Sequence, residues 1–163
     1  MKLTYRLVVP AAALAVVVIG AAVHTFAQTG HVLVPADKVQ WGPAPPVLPA
    51  GAEIAVLEGN PSETGPVTLR LRLPANYRIP AHWHSMLERV TVLSGSFHVG
   101  MGDALDQKAS QTLAPGGFVS LPAKMHHYAW ASAPTIVQIN LDGPFDIFYV
   151  NPKDNPLPLQ PKR

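Results

Sequence analysis

The chain of 163 residues contains no cysteine. Thiolate ligation of a metal is therefore excluded, and any metal site must be built from nitrogen and oxygen ligands. Disulfide bonds are excluded for the same reason. The fold must be held by its hydrophobic core, with help from a metal if one binds.

The chain also lacks a strong charge of either sign. Its 12 Lys and Arg exceed its 10 Asp and Glu by two, and two of the cations, Lys2 and Arg6, lie close to the N-terminus. The rest of the chain is therefore close to neutral. It has no basic cluster with interleaved aromatic residues, so the sequence gives no reason to expect a nucleic-acid partner or an anionic membrane surface.

The first residues have the layout of a secretory signal peptide. Lys2 and Arg6 form a short basic region, residues 7–23 are almost entirely Ala, Val, Leu and Ile, and residues 25–27 (TFA) resemble a cleavage site. Cleavage after Ala27 would leave one periplasmic or secreted domain with no stable membrane insertion. The alternative is an uncleaved anchor, because about 17 apolar residues are near the lower limit for spanning a bilayer.

The 18 prolines recur every few residues and disfavour long helices. We therefore divide the chain into a signal peptide (1–27), an extended Pro-rich arm (28–50), a β-barrel domain (51–150) and a Pro-rich tail (151–163). The arm resembles polyproline II and has two alternative positions, across a neighbouring subunit or on its own barrel. The end of the tail is expected to be poorly ordered.

Short segments separated by turn residues predict strands. Residues 67–73 (VTLRLRL) alternate between apolar and polar side chains, which is the clearest strand signature in the chain. Further strands are predicted at residues 54–57, 88–93, 96–101, 111–113, 118–121, 127–131, 135–141 and 145–150. Many short strands indicate an all-β sandwich or barrel, and a jelly roll is the version that encloses a small interior.

Three histidines and a glutamate have the chemistry of a metal site. His82 and His84 are followed by Glu88, and His127 lies further along the chain. Three imidazoles and one carboxylate suit a divalent first-row metal: Fe, Mn, Ni, Cu, Co or Zn. The competing interpretation is a polar cluster at a barrel rim.

The phase of these residues supports burial. His82 and His84 are two apart, so they project to the same face of a strand. Glu88 has the same parity as both histidines and as Val90 and Val92. A carboxylate in phase with core valines is costly to bury unless it is paired or binds a metal.

The spacing of these residues resembles two motifs of the cupin superfamily. The first motif, G-x5-H-x-H-x3,4-E-x6-G, is matched by His82, His84, Glu88 and Gly95. The second motif, G-x5-P-x-G-x2-H-x3-N, is matched by Gly116, Pro122 and His127. The resemblance covers residues 76–131.

The resemblance implies a cupin-type double-stranded β-helix, a jelly-roll barrel in which His82, His84, Glu88 and His127 hold one divalent metal. It also implies a small-molecule ligand or substrate and a homodimer. Glu88 has a second expected role as a catalytic base, since a carboxylate ligand can detach from its metal. Tyr77, His98 and Met86 are candidate substrate contacts, with ordinary packing or hydrogen bonding as the competing role for each.

Three positions depart from the cupin pattern. Asn76 and Lys124 stand where the motifs have glycine, and Ala131 stands where the second motif has asparagine. Asn tolerates positive φ well, whereas Lys tolerates it less, so the turn at Lys124 is the one expected to differ. None of the three departures removes a ligand. Motif spacing selects His127, and its neighbour His126 is expected to point away from the site.

Three functions remain open from the sequence. The leading one is a metal-dependent oxidoreductase of dioxygenase type that acts on a small oxygenated molecule. The second is a non-redox isomerase, lyase or hydrolase. Val90 stands where cupins that cleave dimethylsulfoniopropionate have tyrosine, which counts against that activity. The third is an exported metal- or ligand-binding module without turnover, because a fold does not fix a function.

Overall fold

The computed structural model describes residues 30–157 of the chain. The predicted signal peptide and the last six residues of the predicted tail lie outside the described residues. No helix within residues 30–157 is long and apolar enough to cross a membrane.

The regular secondary structure of the described chain consists almost entirely of antiparallel strands. Its eleven strands are β1 (Gly42–Pro43), β2 (Glu53–Glu58), β3 (Gly65–Leu73), β4 (Arg78–Trp83), β5 (Glu88–Ser94), β6 (Phe97–Met101), β7 (Gln111–Leu113), β8 (Phe118–Leu121), β9 (His127–Ala131), β10 (Thr135–Gly143) and β11 (Phe148–Tyr149). Two short 3-10 helices, at Ala36–Lys38 and Pro152–Asp154, lie outside the strands.

The strands form two sheets that face each other. The six-stranded sheet has the order β1-β2-β3-β10-β5-β8, and the five-stranded sheet has the order β11-β4-β9-β6-β7. Buried aliphatic side chains from both sheets form one core cluster between them. The predicted all-β jelly-roll fold is confirmed.

Alternation along β3 and β10 builds much of this core. Leu69 and Leu71 of β3 are buried and pair with Ile139 and Val137 of β10. The intervening Arg70 is only partly buried, because successive strand residues face opposite sides of the sheet. Full burial of an aliphatic side chain contributes about 1.5–3 kcal/mol relative to exposure.

Two strands were not predicted from the sequence, the two-residue β1 and the longer β4. The reason is clearest for β4. It contains Pro80, which has no backbone N–H to donate and is normally confined to strand edges or bulges. The β4–β9 ladder accommodates this residue with a register shift between Ile79 and His82. His82 therefore lies on a strand, whereas His84 lies just beyond the end of β4.

The predicted strand at residues 145–150 is shorter in the structure. Only Phe148 and Tyr149 pair with β4, and residues 144–147 form a loop before them. In this loop, the backbone carbonyl of Asp146 accepts a hydrogen bond from the side chain of His84, and the backbone N–H of Phe145 donates to Pro61 O. These two backbone groups therefore form hydrogen bonds outside the β4–β11 ladder.

From residue 41 onward, the arm lies on its own barrel. Gly42 and Pro43 pair with Ile54 and Glu53 of β2, so β1 and β2 form a hairpin. The guanidinium of Arg72 lies 4.1 Å from the ring centroid of Trp41, which is close enough for a cation–π contact. Homodimer formation remains a prediction.

Candidate metal centre

Three histidines converge between the two sheets. His82 of β4 pairs directly with His127, the first residue of β9, and His84 follows two residues after His82. All three side chains are buried. One nitrogen from each ring lies within 4.8 Å of the others, which is the spacing of atoms that can share one metal ion.

Backbone carbonyls determine which nitrogen faces the centre. Nδ1 of His82 donates to Pro80 O at 2.7 Å, Nδ1 of His127 donates to Met125 O at 3.0 Å, and Nδ1 of His84 donates to Asp146 O. Each carbonyl can only accept, so each Nδ1 carries a proton and each Nε2 is left to face the centre. Such outer partners are typical of metal-binding histidines.

Glu88 approaches the histidines from the opposite sheet. It is the first residue of β5 and is 6% exposed. Its Oε2 lies 3.5 Å from Nε2 of His84 and 3.6 Å from Nε2 of His127. The predicted quartet is therefore brought together, although β4 and β5 belong to different sheets and do not continue one another.

The charges of this cluster are strongly coupled. Burial and the neighbouring His127 and His84 lower the pKa of His82 to about 3. Burial alone would raise the pKa of Glu88, but His127 and His84 outweigh it and lower that pKa overall. His82 is thus neutral and Glu88 ionised near neutral pH, which are the forms that bind a metal. Burial alone would lower the pKa of His84, but Glu88 and Asp146 outweigh it and raise that pKa overall.

A divalent first-row metal fits these donors. Among the described residues that are not exposed, Nε2 of His84 is a buried side-chain polar atom with no hydrogen-bond partner. Such an atom is costly unless something satisfies it. Three Nε2 atoms and one carboxylate would be satisfied together by one cation.

The space beside the four donors is small and apolar. Its free volume is about 30 Å³, which is room for roughly two water-sized groups. Apart from His82, His84, Glu88 and His127, its described lining consists of Leu, Ile, Val, Ala and Phe side chains. A polar ligand would therefore be oriented mainly by the metal site itself.

The loop at residues 144–147 supports this centre from outside the motifs. Phe145 and Ile147 line the cavity, and the ring centroid of Phe145 lies 5.5 Å from that of His84. Between them, the Asp146 carboxylate accepts hydrogen bonds from Oγ of Ser85 and, at 2.8 Å, from the backbone N–H of Ser85. Neither motif extends to Phe145, Asp146 or Ile147, and no sequence signal pointed to a role for them at the metal centre.

Replacing Asp146 by alanine is expected to weaken metal binding by about tenfold, as for other outer-shell partners. The change removes the carboxylate that holds Ser85 and frees the carbonyl that orients His84. Isothermal titration with Zn²⁺ measures the effect. Asp103→Ala is the matched control, because the Asp103 carboxylate binds the half-exposed His126 instead, at 2.6 Å. Equal affinities for the two variants would contradict a supporting role for Asp146.

The three candidate substrate residues lie outside the described cavity lining. The Tyr77 hydroxyl donates to Pro49 O. His98 stacks on Trp130 with ring centroids 3.7 Å apart, and both of its ring nitrogens contact hydroxyl groups. Met86 packs partly buried against the core. Their contact with a substrate remains a prediction that the cavity does not support.

The two residues that replace motif glycines adopt the backbone conformation that glycine would favour. Asn76 has φ of 64° and Lys124 has φ of 63°. The backbone N–H of Lys124 donates to His84 O at 2.8 Å, which ties this turn to a predicted ligand. The turn at Lys124 therefore keeps positive φ, at a cost of about 1–2 kcal/mol for a residue with a Cβ.

Solved structures share this architecture at low sequence identity. A candidate acetylacetone dioxygenase from Methylibium petroleiphilum PM1 has a TM-score of 0.61 and 20% identity, over 80% of this chain and 88% of that one. The polyketide cyclase RemF from Streptomyces resistomycificus has a TM-score of 0.58 and 16% identity, over 76% and 88%.

A third similar structure is the complex of Rhodobacter sphaeroides SigE with the anti-sigma ChrR. Its TM-score is 0.50 at 20% identity, over 66% of this chain and 52% of that one. At such identities these likenesses establish the fold alone.

No curated protein is detectably similar to the chain in sequence. Residues 29–140 match the family model described as the ChrR cupin-like domain. This match covers more than half of the chain and includes both motifs. The chain therefore belongs to the ChrR cupin-like family of the cupin superfamily.

Proposed function

We propose that this cupin is an exported, metal-dependent oxidoreductase of dioxygenase type that acts on a small molecule with two chelating oxygens. The observation that carries the proposal is the combination of four convergent donors with an otherwise hydrocarbon cavity. The predicted leader supports export.

The residues that line the cavity would have three roles: metal binding, exclusion of water and proton transfer. His82, His84, His127 and Glu88 would hold the metal. A bound divalent metal supplies Lewis-acid polarisation and open positions for oxygen ligands. The aliphatic walls would exclude water, which strengthens electrostatic interactions inside the cavity. Glu88 would also accept a proton from the substrate, since no other described lining residue is ionisable apart from the three histidines.

The cavity determines which substrates suit the site. A molecule with several hydroxyl groups would lose hydrogen bonds on entering, because the walls beyond the four donors offer no partners. A compact β-diketone has two oxygens for the metal and short alkyl ends for the walls. The fold likeness to a candidate acetylacetone dioxygenase is compatible with this class of substrate.

A binding module without turnover is the second candidate. The small enclosed volume favours it, because about 30 Å³ leaves little room for a substrate and its products. The non-redox isomerase, lyase or hydrolase has less support. Such reactions usually use a general acid as well as a general base, and the described lining has no ionisable group beyond the four predicted metal ligands.

Oxygen consumption tests the proposal. Protein loaded separately with Fe(II), Mn(II), Ni(II) or Cu(II) would be mixed with small β-diketones, diols and phenols in an oxygen electrode. We expect oxygen uptake with at least one metal, matched by loss of a small β-diketone. The His82→Ala, His84→Ala double variant serves as the control and should consume none. Absence of uptake with every metal and substrate would exclude a dioxygenase and leave the binding module.

A further inference from the structure

We propose that Leu48, at the tip of the β1–β2 hairpin loop, is the wall that limits the size of ligand the metal cavity admits. The residue lies in the Pro-rich arm, 34 positions before the first predicted ligand and outside both cupin motifs. It is nevertheless 5% exposed and lines the same cavity as His82, His84, Glu88 and His127. The consequence for substrate choice rests on the proposed function, whereas the position of the wall does not.

The loop that carries Leu48 is closed at its base. The Ala44 N–H donates to Ala52 O at 3.0 Å, immediately after the β1–β2 pairing ends. Within the loop, the Leu48 N–H donates to Pro45 O at 2.9 Å. Prolines at positions 45, 46 and 49 restrict the conformations of this segment in the unfolded chain. The loop therefore loses less conformational entropy when it folds and buries the side chain of Leu48.

Two tyrosines hold the loop on either side of Leu48. The Tyr149 hydroxyl donates to Val47 O at 2.9 Å, and the Tyr77 hydroxyl donates to Pro49 O. The two acceptors are the residues directly before and after Leu48. This pair of hydrogen bonds fixes the backbone where the side chain enters the core.

One of these tyrosines also contacts the metal centre. Tyr149 of β11 pairs with His82 across the β4–β11 ladder, and their ring centroids are 6.1 Å apart. Leu48 is thus connected to a predicted ligand through one side chain. Burial raises the pKa of Tyr77 to about 12, so its hydroxyl remains a donor throughout the physiological range.

The proposal explains why the cavity is so small. A leucine side chain held at a fixed position takes up space that a longer alkyl substituent would need. Shortening residue 48 should therefore enlarge the cavity next to the imidazoles, and lengthening it should fill the cavity. An ordinary core leucine would instead leave a void that has no connection to the metal site.

Xenon binding tests this inference without turnover or metal. Xenon is an apolar probe that enters hydrocarbon cavities, and its contact with the site can be followed through the imidazole NMR signals of metal-free full-length protein. We expect Leu48→Ala to bind xenon at least about tenfold more tightly than the natural protein, with shifted His82 signals. We expect Leu48→Phe to bind none.

Leu69→Ala is the matched control. Leu69 is an equally buried leucine of β3 that lies outside the described cavity lining, so xenon in its void should leave the His82 signals unmoved. An unchanged xenon affinity in Leu48→Ala, or unmoved imidazole signals, would overturn the proposal. If these signals shift while the oxygen test fails, the proposed function is excluded, but the proposal that Leu48 limits the size of the cavity is kept.

A second variant covers the case in which Leu48→Ala does not fold. The Tyr77→Phe, Tyr149→Phe double variant keeps both rings, including the one beside His82, but removes both hydroxyl donors. We expect hydrogen exchange at the Leu48 amide to accelerate at least about tenfold, with amides of β3 and β10 unchanged. Exchange at the natural rate would show that the tyrosines do not hold the loop and would overturn the proposal.

Discussion

Gly95→Ala is expected to lower the free energy of unfolding by more than about 4 kcal/mol, a large fraction of the stability of a domain of this size. Gly95 lies between β5 and β6 with φ of +85°, a conformation that disfavours a Cβ. A Cβ there would lie 2.6 Å from Cα of Thr135 and closer still to Pro134 O and Thr135 Oγ1. This close approach to the backbone gives a physical reason for the glycine that ends the first motif.

Gly116→Ala provides the control for Gly95→Ala. Gly116 has almost the same φ, +86°, but an added Cβ would meet no described heavy atom within 4 Å. Its cost should therefore be the backbone term alone, about 1–2 kcal/mol. Urea denaturation of both variants separates the two contributions. Equal losses would show that the contact with Pro134 and Thr135 does not matter.

Glu88→Gln is expected to reduce the affinity for a divalent metal by at least about 100-fold, which corresponds to about 2.7 kcal/mol. Glutamine has nearly the same size, so the packing against β8 is kept. It has no negative charge to offset the cation, and its neutral amide oxygen is a weaker ligand. The effect is large because the site is buried, where charges are poorly screened by solvent.

Competition with a chelator, using Zn²⁺ or Co²⁺, measures the effect of Glu88→Gln. Glu58→Gln is the matched control, since Glu58 is an exposed glutamate at the end of β2. It should bind metal as the natural protein does. An unchanged affinity in Glu88→Gln would remove the carboxylate from the ligand set and leave a site of three histidines.

Local patterns were sufficient to predict most of the fold. Residues 67–73 alternate in polarity, and the strand they predict lies at the centre of the six-stranded sheet as β3. Predicted strands at residues 111–113, 118–121 and 127–131 have the observed bounds of β7, β8 and β9. These segments are short and bounded by turn residues, so little beyond the local sequence decides their ends.

The resemblance to the two cupin motifs implied the convergence of the four donors, but the shared parity of His82 and Glu88 explains it only in part. His82 and Glu88 have the same parity along the chain, yet a turn at residues 85–87 separates β4 from β5. The two residues enter the interior from different sheets. Their common burial reflects the closure of the barrel and does not result from one continuous strand face.

The remaining features depend on contacts between distant parts of the chain. Tyr149 and Val47 are 102 residues apart, and Ser85 and Asp146 are 61 residues apart. Neither pair leaves a periodic signal in the sequence. The insertion of Leu48 could likewise not be predicted. A single leucine in a Pro-rich arm is not part of a periodic pattern that would predict its burial in the core of the barrel.

The metal content of the purified protein tests the central claim most directly. The protein would be purified without chelator beside the His82→Ala, His84→Ala double variant, and both would be subjected to elemental analysis. We predict about one equivalent of a divalent first-row metal per chain in the natural protein, and none in the variant. If the natural protein held no metal and took up none on reconstitution, the four convergent donors would not be a metal site.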